Sequence, residues 1–272
     1  MCATCGCSGN GHQLKTLLPV QKPGAFAGLT LDRQVVQPTE VQSEIPAVRV
    51  QTPPPPVKTL VELERDILDK NKRMAERNRG FFEARNIRAI NLVSSPGSGK
   101  TALLERTLAE QAGKEQFYVI EGDQQTTRDA ERIAAGGAPV VQINTGKGCH
   151  LEADMVHQAI RELQPATDSV VFIENVGNLV CPSMFDLGES RRVVVISVTE
   201  GEDKPIKYPD MFHTADLCVI NKIDLLPYLK FDVEQLKEYA RQVNPKLEFL
   251  EVSATTGAGM DGWYAWLSQS WQ

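Results

Sequence analysis

The stretch Ser94–Thr101, which reads SSPGSGKT, most narrows what this chain can fold into. The apolar run Ile87–Val93 precedes it and reads as a strand. Ala102–Glu110 follows with helical spacing and good helix formers. Strand, glycine-rich turn, Gly-Lys-Thr and helix are the parts of a phosphate-binding loop. Gly97 and Gly99 let the backbone come close to a polyphosphate. The amides from Ser98 to Ala102, at the helix start, point at the anion with the helix dipole behind them. Lys100 supplies a positive charge for the β- and γ-phosphates, and Thr101 a hydroxyl for Mg²⁺. The usual pattern has Gly five residues before Gly99, where this chain has Ser94. On this motif alone, a Gly-Lys-Thr turn that binds nothing stays open.

A second stretch points to the base. Asn221-Lys222-Ile223-Asp224 follows the apolar run Leu217–Ile220. The Asp224 carboxylate can accept hydrogen bonds from guanine N1–H and the 2-amino group. Adenine lacks that pair of donors, and a site built to pair a polar group discriminates strongly against a ligand that leaves it unpaired. The Lys222 stem can pack over the base and Asn221 can brace the loop. Ser253-Ala254, after Leu247–Val252, fits the third part of a guanine site, its backbone amides facing the base oxygen.

The rest of the chain alternates strand and helix. Gln116–Ile120, Val140–Ile143, Ser169–Ile173, Arg192–Val198 and Glu248–Val252 join the two strands above to make about seven. Helices are expected around 127–135, 151–163, 205–213, 233–242 and 261–271. Such alternation predicts an α/β fold: a P-loop NTPase with a mostly parallel sheet covered by helices on both faces, its ligands at the carboxyl ends of the strands. Asp123 and Glu174 stand where strands end, as candidate Mg²⁺ or catalytic carboxylates. Glu174–Gly177 occupies the place of a DxxG switch, and Gly177 can offer its N–H to a γ-phosphate. Ahead of the domain, Thr59–Arg85 predicts an amphipathic helix. Its stripe of Leu60, Leu63, Ile67, Leu68 and Met74 is expected to pack on the domain.

With 272 residues the chain suffices for one large domain, expected over 59–272, and an extension. It carries 29 basic and 35 acidic residues, and this net charge of −6 without a basic block argues against nucleic acid as a partner. No apolar run reaches the roughly 18 residues of a membrane span. A nucleotide enzyme whose N-terminus is unlike a signal peptide is expected in the cytoplasm, where thiols stay reduced.

The extension begins MCATCGC. Cys2, Cys5 and Cys7 can chelate one metal ion, with the free amine of Cys2 as a fourth donor if Met1 is removed. Three thiolates and an amine in a plane favour Ni²⁺ over tetrahedral Zn²⁺. A redox CxxC and an inert tail are the competing readings. Residues 8–58, rich in Pro, Gln, Val and Thr and ending in Pro53–Pro56, read as a semi-rigid tether. A second constellation lies in the domain. Cys149 and His150 are adjacent in one loop and Cys181 follows another strand, so a parallel sheet would bring all three to one edge. They suit zinc or nickel, with ordinary half-buried cysteines as the alternative. Cys218 reads as core, His157 as helix surface, His12 as solvated, and His213 as either core or surface.

Taken in order, MCATCGC, SSPGSGKT, EGDQQT, NTGKGCHL, ENVGNLVCP, EGEDKPIKYP and NKIDLLPY resemble the HypB family of hydrogenase nickel-incorporation GTPases. The resemblance implies a dimerising G domain of the SIMIBI type, related to signal-recognition and urease-accessory GTPases. It implies delivery of Ni²⁺ to the large subunit of [NiFe]-hydrogenase, with the zinc-containing partner HypA and in some members the prolyl isomerase SlyD. On that basis Cys2, Cys5 and Cys7 correspond to a high-affinity nickel site. Cys149, His150 and Cys181 correspond to a Ni²⁺ or Zn²⁺ site of the G domain. Lys100, Thr101 and Asp224 carry over as nucleotide contacts, and Lys204 as a nucleotide contact across a homodimer favoured by GTP or metal. Many relatives carry a polyhistidine stretch. This chain has four His in all and no such run, which argues against bulk nickel storage. The rival readings are a G-protein chaperone for urease nickel or cobalamin, and a nickel buffer with a vestigial GTPase.

Overall fold

A computed structural model describes residues 13–17, 59–123, 128–146 and 148–269. Cys2, Cys5, Cys7 and His12, with most of the 8–58 segment, lie outside the described residues.

Two amphipathic patterns dominate the domain. Short runs of Val, Ile and Leu are buried along their whole length, as strands covered on both faces must be. Segments of 3- to 4-residue apolar period cover them. The elements run β1 (Gln13–Leu17), α1 (Leu60–Ala84), β2 (Arg88–Ser94), α2 (Lys100–Glu110), β3 (Phe117–Asp123), α3 (Arg128–Ala135), β4 (Val140–Asn144), α4 (Ala153–Leu163) and β5 (Val170–Glu174). They continue with β6 (Arg191–Ser197), α5 (Lys204–Lys207), α6 (Pro209–His213), β7 (Leu217–Asn221), α7 (Val233–Val243), β8 (Glu248–Glu251) and α8 (Met260–Leu267). Single 3₁₀ segments stand at Cys181–Met184, between β5 and β6, and at Ile223–Tyr228, between β7 and α7.

The seven strands expected from sequence form a parallel sheet in the order β4-β3-β5-β2-β6-β7-β8. The central strand, β2, feeds the phosphate loop. An eighth strand corrects the reading of 8–58 as tether throughout: β1 pairs antiparallel with β4, Gln13 opposite Asn144 and Leu17 opposite Val140. Its sequence, QLKTL, is neither a continuous apolar run nor a strict alternation, and its partner lies far along the chain. The helix expected around 205–213 is two short helices, since Tyr208 leaves the helical conformation before Pro209.

On one face of the sheet Leu103, Leu104, Ile133, Phe172 and Trp263 pack together. On the other, Phe82, Ile143 and Val156 form one cluster, and Ile196, Phe212 and Leu236 another. The Trp263 indole N–H donates to the Thr107 hydroxyl at 2.9 Å in the buried interior. Thr107→Val is expected to leave that donor unpaired and lower stability by about 1–3 kcal/mol, read by denaturant unfolding.

The leading helix differs from its expectation. The capping box of Thr59 and Glu62 starts it, with the Thr59 amide on the Glu62 carboxylate at 2.8 Å. Yet Leu63, Ile67 and Leu68 are exposed, Ile67 by 52%, and Val61 beside them by 73%. The face that packs is further along: Asn71, Ala75, Asn78 and Phe82 are buried. A 25-residue helix is about 37 Å long and a seven-residue strand about 23 Å, so the first turns overhang the sheet. Among the described residues no helix is long and apolar enough to cross a membrane.

Candidate nucleotide and metal site

The loops after β2 to β8 all open on one edge of the sheet, where parallel sheets bind ligands. The phosphate loop takes its shape from Gly97 (φ 78°) and Gly99 (φ 94°), a region costly for other residues. Ser94 has no positive φ, so a Gly is not needed there for conformation. Its hydroxyl instead accepts the Lys100 ammonium at 2.8 Å and donates to the Ser95 carbonyl at 2.6 Å. Burial pushes the Lys100 pKa down, and the Glu174 carboxylate opposes that shift.

Thr101 Oγ1 donates to Glu174 Oε1 at 2.8 Å. Glu174 is paired in register with Glu121 on the neighbouring strand, and both are buried. Burial, reinforced by Glu174, raises Glu121 to about 9, so it is a neutral acid at neutral pH. Glu174 is also raised by burial. Each carboxyl has one buried oxygen, Oε2, without a hydrogen-bond partner among the described residues. Buried polar atoms are rarely left so. Asp123 ends β3 at the same edge, half-buried, its carbonyl accepting the Thr145 amide. Gly177 lies against the phosphate loop, where an added Cβ would stand 3.1 Å from Pro96 Cα.

Lys204, at the start of α5, donates to Ser95 Oγ at 3.0 Å and pairs with Glu200 at 3.1 Å, so in this chain it lies against its own phosphate loop. Ala102 is half-buried in the first turn of α2.

The Asn221–Asp224 loop is held to the phosphate loop directly. Asn221 Nδ2 donates to the Ser98 carbonyl at 3.0 Å, and Lys222 Nζ to the Gly97 carbonyl at 2.7 Å. Asp224 Oδ1 accepts from Ser253 Oγ at 2.5 Å, which orients the carboxylate. The amides after β8 are held within the loop. Ser253 N–H donates to the Ala258 carbonyl and Ala254 N–H to Asn221 Oδ1, so both brace the loop.

The second constellation assembles. Cys149 Sγ and Cys181 Sγ are 2.8 Å apart and Cys149 Sγ lies 3.8 Å from His150 Nδ1. One donor atom from each of the three falls within 4.8 Å of the others. The His150 ring is buried and stacks on Phe185 at 3.9 Å between centroids. Burial lowers its pKa to about 4, which keeps the imidazole neutral as a metal ligand must be. Cys218 is core, as expected. His157 is not a free helix-surface residue: it is half-buried with Nδ1 3.1 Å from Asn78 Oδ1. His213 is exposed.

Sequence reasoning passed over Ser94 as a partner for Lys100, Glu121, Glu200, Phe185 and the buried Asn91, Asn175, Glu189 and Arg192. A signal existed for Glu121, since a carboxylate inside an apolar strand is anomalous. Phe185 had none.

A parallel sheet with a glycine-turned phosphate loop after its central strand, joined to the Asn221–Asp224 loop two strands away, defines a P-loop nucleotide-binding protein. A profile for the CobW/HypB/UreG nucleotide-binding domain matches residues 88–251. The hydrogenase maturation factor HypB of Azotobacter vinelandii is 58% identical over 210 residues, 77% of this chain and 69% of that protein. HypB of Escherichia coli K12 is 58% identical over 208 residues, 76% and 72% of the two chains. Among solved structures, HypB from Archaeoglobus fulgidus aligns with TM-score 0.68 at 40% identity, over 73% of this chain and 97% of that one. HypB from Helicobacter pylori, crystallised in complex with nickel, aligns with TM-score 0.69 at 39% identity, over 73% and 93%. The chain belongs to the CobW/HypB/UreG family and, within it, to the HypB hydrogenase maturation factors.

Proposed function

We propose that this chain is a GTP-hydrolysing nickel metallochaperone that delivers Ni²⁺ to the large subunit of [NiFe]-hydrogenase during its maturation. The observation that carries this reading is that one short segment joins two chemistries. Glu174 meets the phosphate loop through Thr101, Gly177 packs on Pro96, and Cys181 meets Cys149 and His150. Nickel-bound HypB among the relatives supports it.

Lys100 holds the β- and γ-phosphates, and Asp224 reads guanine with Asn221 and Lys222 bracing the loop. Thr101 and Glu174 are the groups that would hold Mg²⁺, which supplies charge neutralisation on the phosphates. The unpartnered Glu174 Oε2 fits that role. Asp123 and Glu174 are the candidates for orienting the attacking water. Cys149 and Cys181, as thiolates, and neutral His150 bind nickel as cargo, with Zn²⁺ as a competitor for the same donors. Three protein ligands leave room for a further donor from a second subunit. GTP orders the segments after Asp123 and Gly177 and favours a homodimer in which Lys204 reaches the partner's nucleotide. Hydrolysis then loosens the metal ligands. The Cys2, Cys5 and Cys7 tail collects the ion and passes it on, with HypA, and SlyD where present, as exchange partners in the cytoplasm.

The test is Ni²⁺ binding to the full chain by competition with a chelator, with GDP and with a non-hydrolysable GTP analogue. Two sites are expected, one of them changing affinity between nucleotide states by about 5- to 150-fold, the range of ordinary allosteric coupling. A single site indifferent to nucleotide would defeat the proposal.

A further inference from the structure

A chain of buried polar side chains runs from the phosphate loop to both halves of the cysteine–histidine cluster, and neither nucleotide nor metal contact explains it. It begins at Asn175, immediately after the Glu174 that meets Thr101. Asn175 Oδ1 accepts the Leu151 amide at 3.2 Å and the Val176 amide at 3.0 Å. Leu151 follows His150 directly, so this bond fixes the exit of the Cys149–His150 loop. On its other side, Asn175 Nδ2 donates to Asn91 Oδ1 at 3.4 Å, and Asn91 Nδ2 donates to Glu189 Oε1 at 3.0 Å.

Glu189 holds Arg192 through Nε at 3.0 Å and Nη2 at 2.8 Å. Burial opposes the Glu189 charge, but Arg192 and Asn91 outweigh it and hold the carboxyl below its ordinary range. Arg192 in turn donates to the carbonyls of Ser183 at 3.3 Å and Phe185 at 3.1 Å. Those carbonyls belong to the turn that opens with Cys181 and to the residue after it. The Phe185 ring stacks on His150, which closes the circuit.

Asn175, Asn91, Glu189 and Arg192 are all buried. A carboxamide is suited to the first position, since it accepts on one side and donates on the other. We propose that Asn175 is the positioning residue that ties the Cys149–His150 loop and the Cys181 turn together and carries nucleotide state to them. A shift of Glu174 on binding nucleotide moves the adjoining Asn175, and Asn175 moves both metal-bearing segments together. This deepens the reading above, resting on nickel bound by the cluster and gated by nucleotide.

The test uses the full chain carrying C2A, C5A and C7A, so that Cys149, His150 and Cys181 are the thiolate–imidazole cluster left to bind. Ni²⁺ affinity is measured by chelator competition at saturating GDP and at saturating non-hydrolysable GTP analogue, with melting temperature and the thiolate-to-nickel absorption band recorded alongside. In the parent the two affinities differ by about 5- to 150-fold. In Asn175→Ala the ratio falls to nearly one while the absorption band persists. Asn91→Ala breaks the same circuit one bond further on and lowers the ratio too. It decides the matter if Asn175→Ala does not fold. A network that serves only packing would lower the melting temperature, or weaken nickel equally in both nucleotide states, and leave the ratio unchanged. That result overturns the inference. A parent ratio of one overturns the gating itself, and is distinguishable because the variants are then not needed.

Discussion

Lys100→Ala is expected to cut GTP turnover at saturating nucleotide by on the order of 10²–10³-fold, the usual cost of removing one preorganised group that stabilises developing charge. Lys100 is buried behind the phosphate loop and held there by Ser94 Oγ at 2.8 Å. Burial lowers its pKa, and the neighbouring carboxyls of Glu174, Asp129 and Glu121 oppose that shift. Removing it takes a buried ammonium from beside the phosphate loop, where a polyphosphate has to sit. Nucleotide affinity should therefore fall along with turnover. Nickel affinity of the Cys2, Cys5 and Cys7 tail should not change, since that site makes no use of the phosphate loop. Steady-state phosphate release and chelator competition on the same preparation check both halves. Turnover within tenfold of the parent would place hydrolysis elsewhere. Joint loss of turnover and tail affinity would show that the two modules are not separate.

Much of this architecture was legible because the parallel sheet writes its strands as continuous apolar runs. Val170–Glu174 and Leu217–Asn221 are buried at every residue, and their ends fall within about a residue of the sequence reading. The site was legible for a related reason. A βα loop at the carboxyl edge is short, so residues adjacent in sequence to a strand end are adjacent in space to the ligand. That logic brought Cys149, His150 and Cys181 together correctly from two separate strands. It failed where position depends on what a side chain touches across the fold. The stripe of Leu63, Ile67 and Leu68 has the period of a packed face, but periodicity does not say how far the sheet beneath extends. The residues that do pack α1 include two asparagines. Asn71 accepts the Ala153 amide and donates to the Asp186 carbonyl, and Asn78 donates to the carbonyls of Ala153 and Leu187. A polar residue on a helix reads as solvent-facing by composition. Only the tertiary arrangement supplies the orphan backbone groups that make it core. The same holds for Asn175, Asn91 and Glu189, whose side-chain pairing spans 84 residues between Asn91 and Asn175 and 98 between Asn91 and Glu189 and leaves no local pattern.

Asp224→Asn is expected to weaken GTP by about 3 kcal/mol or more, on the order of 10²–10³-fold, because two charge-assisted hydrogen bonds to the guanine edge are lost or reversed. The Asp224 carboxylate is already oriented by Ser253 Oγ at 2.5 Å, so little reorganisation accompanies binding in the parent. In the variant the amide group offers one acceptor and one donor. Against guanine, the donor meets the 2-amino group, donor against donor. Xanthine carries an oxygen at that carbon and retains N1–H, so the same amide pairs with it fully. Affinity should therefore fall for GTP and rise for xanthosine triphosphate, a reversal that simple misfolding of the loop cannot produce. Asn221 still binds Ser98 and Ala254, and Lys222 still binds the Gly97 carbonyl, so the phosphate loop keeps its brace. Competition titrations with the two triphosphates and with ATP read the outcome. Parallel loss for GTP and xanthosine triphosphate, or unchanged GTP affinity, would remove Asp224 from the base site and with it the assignment of guanine as the base this chain selects.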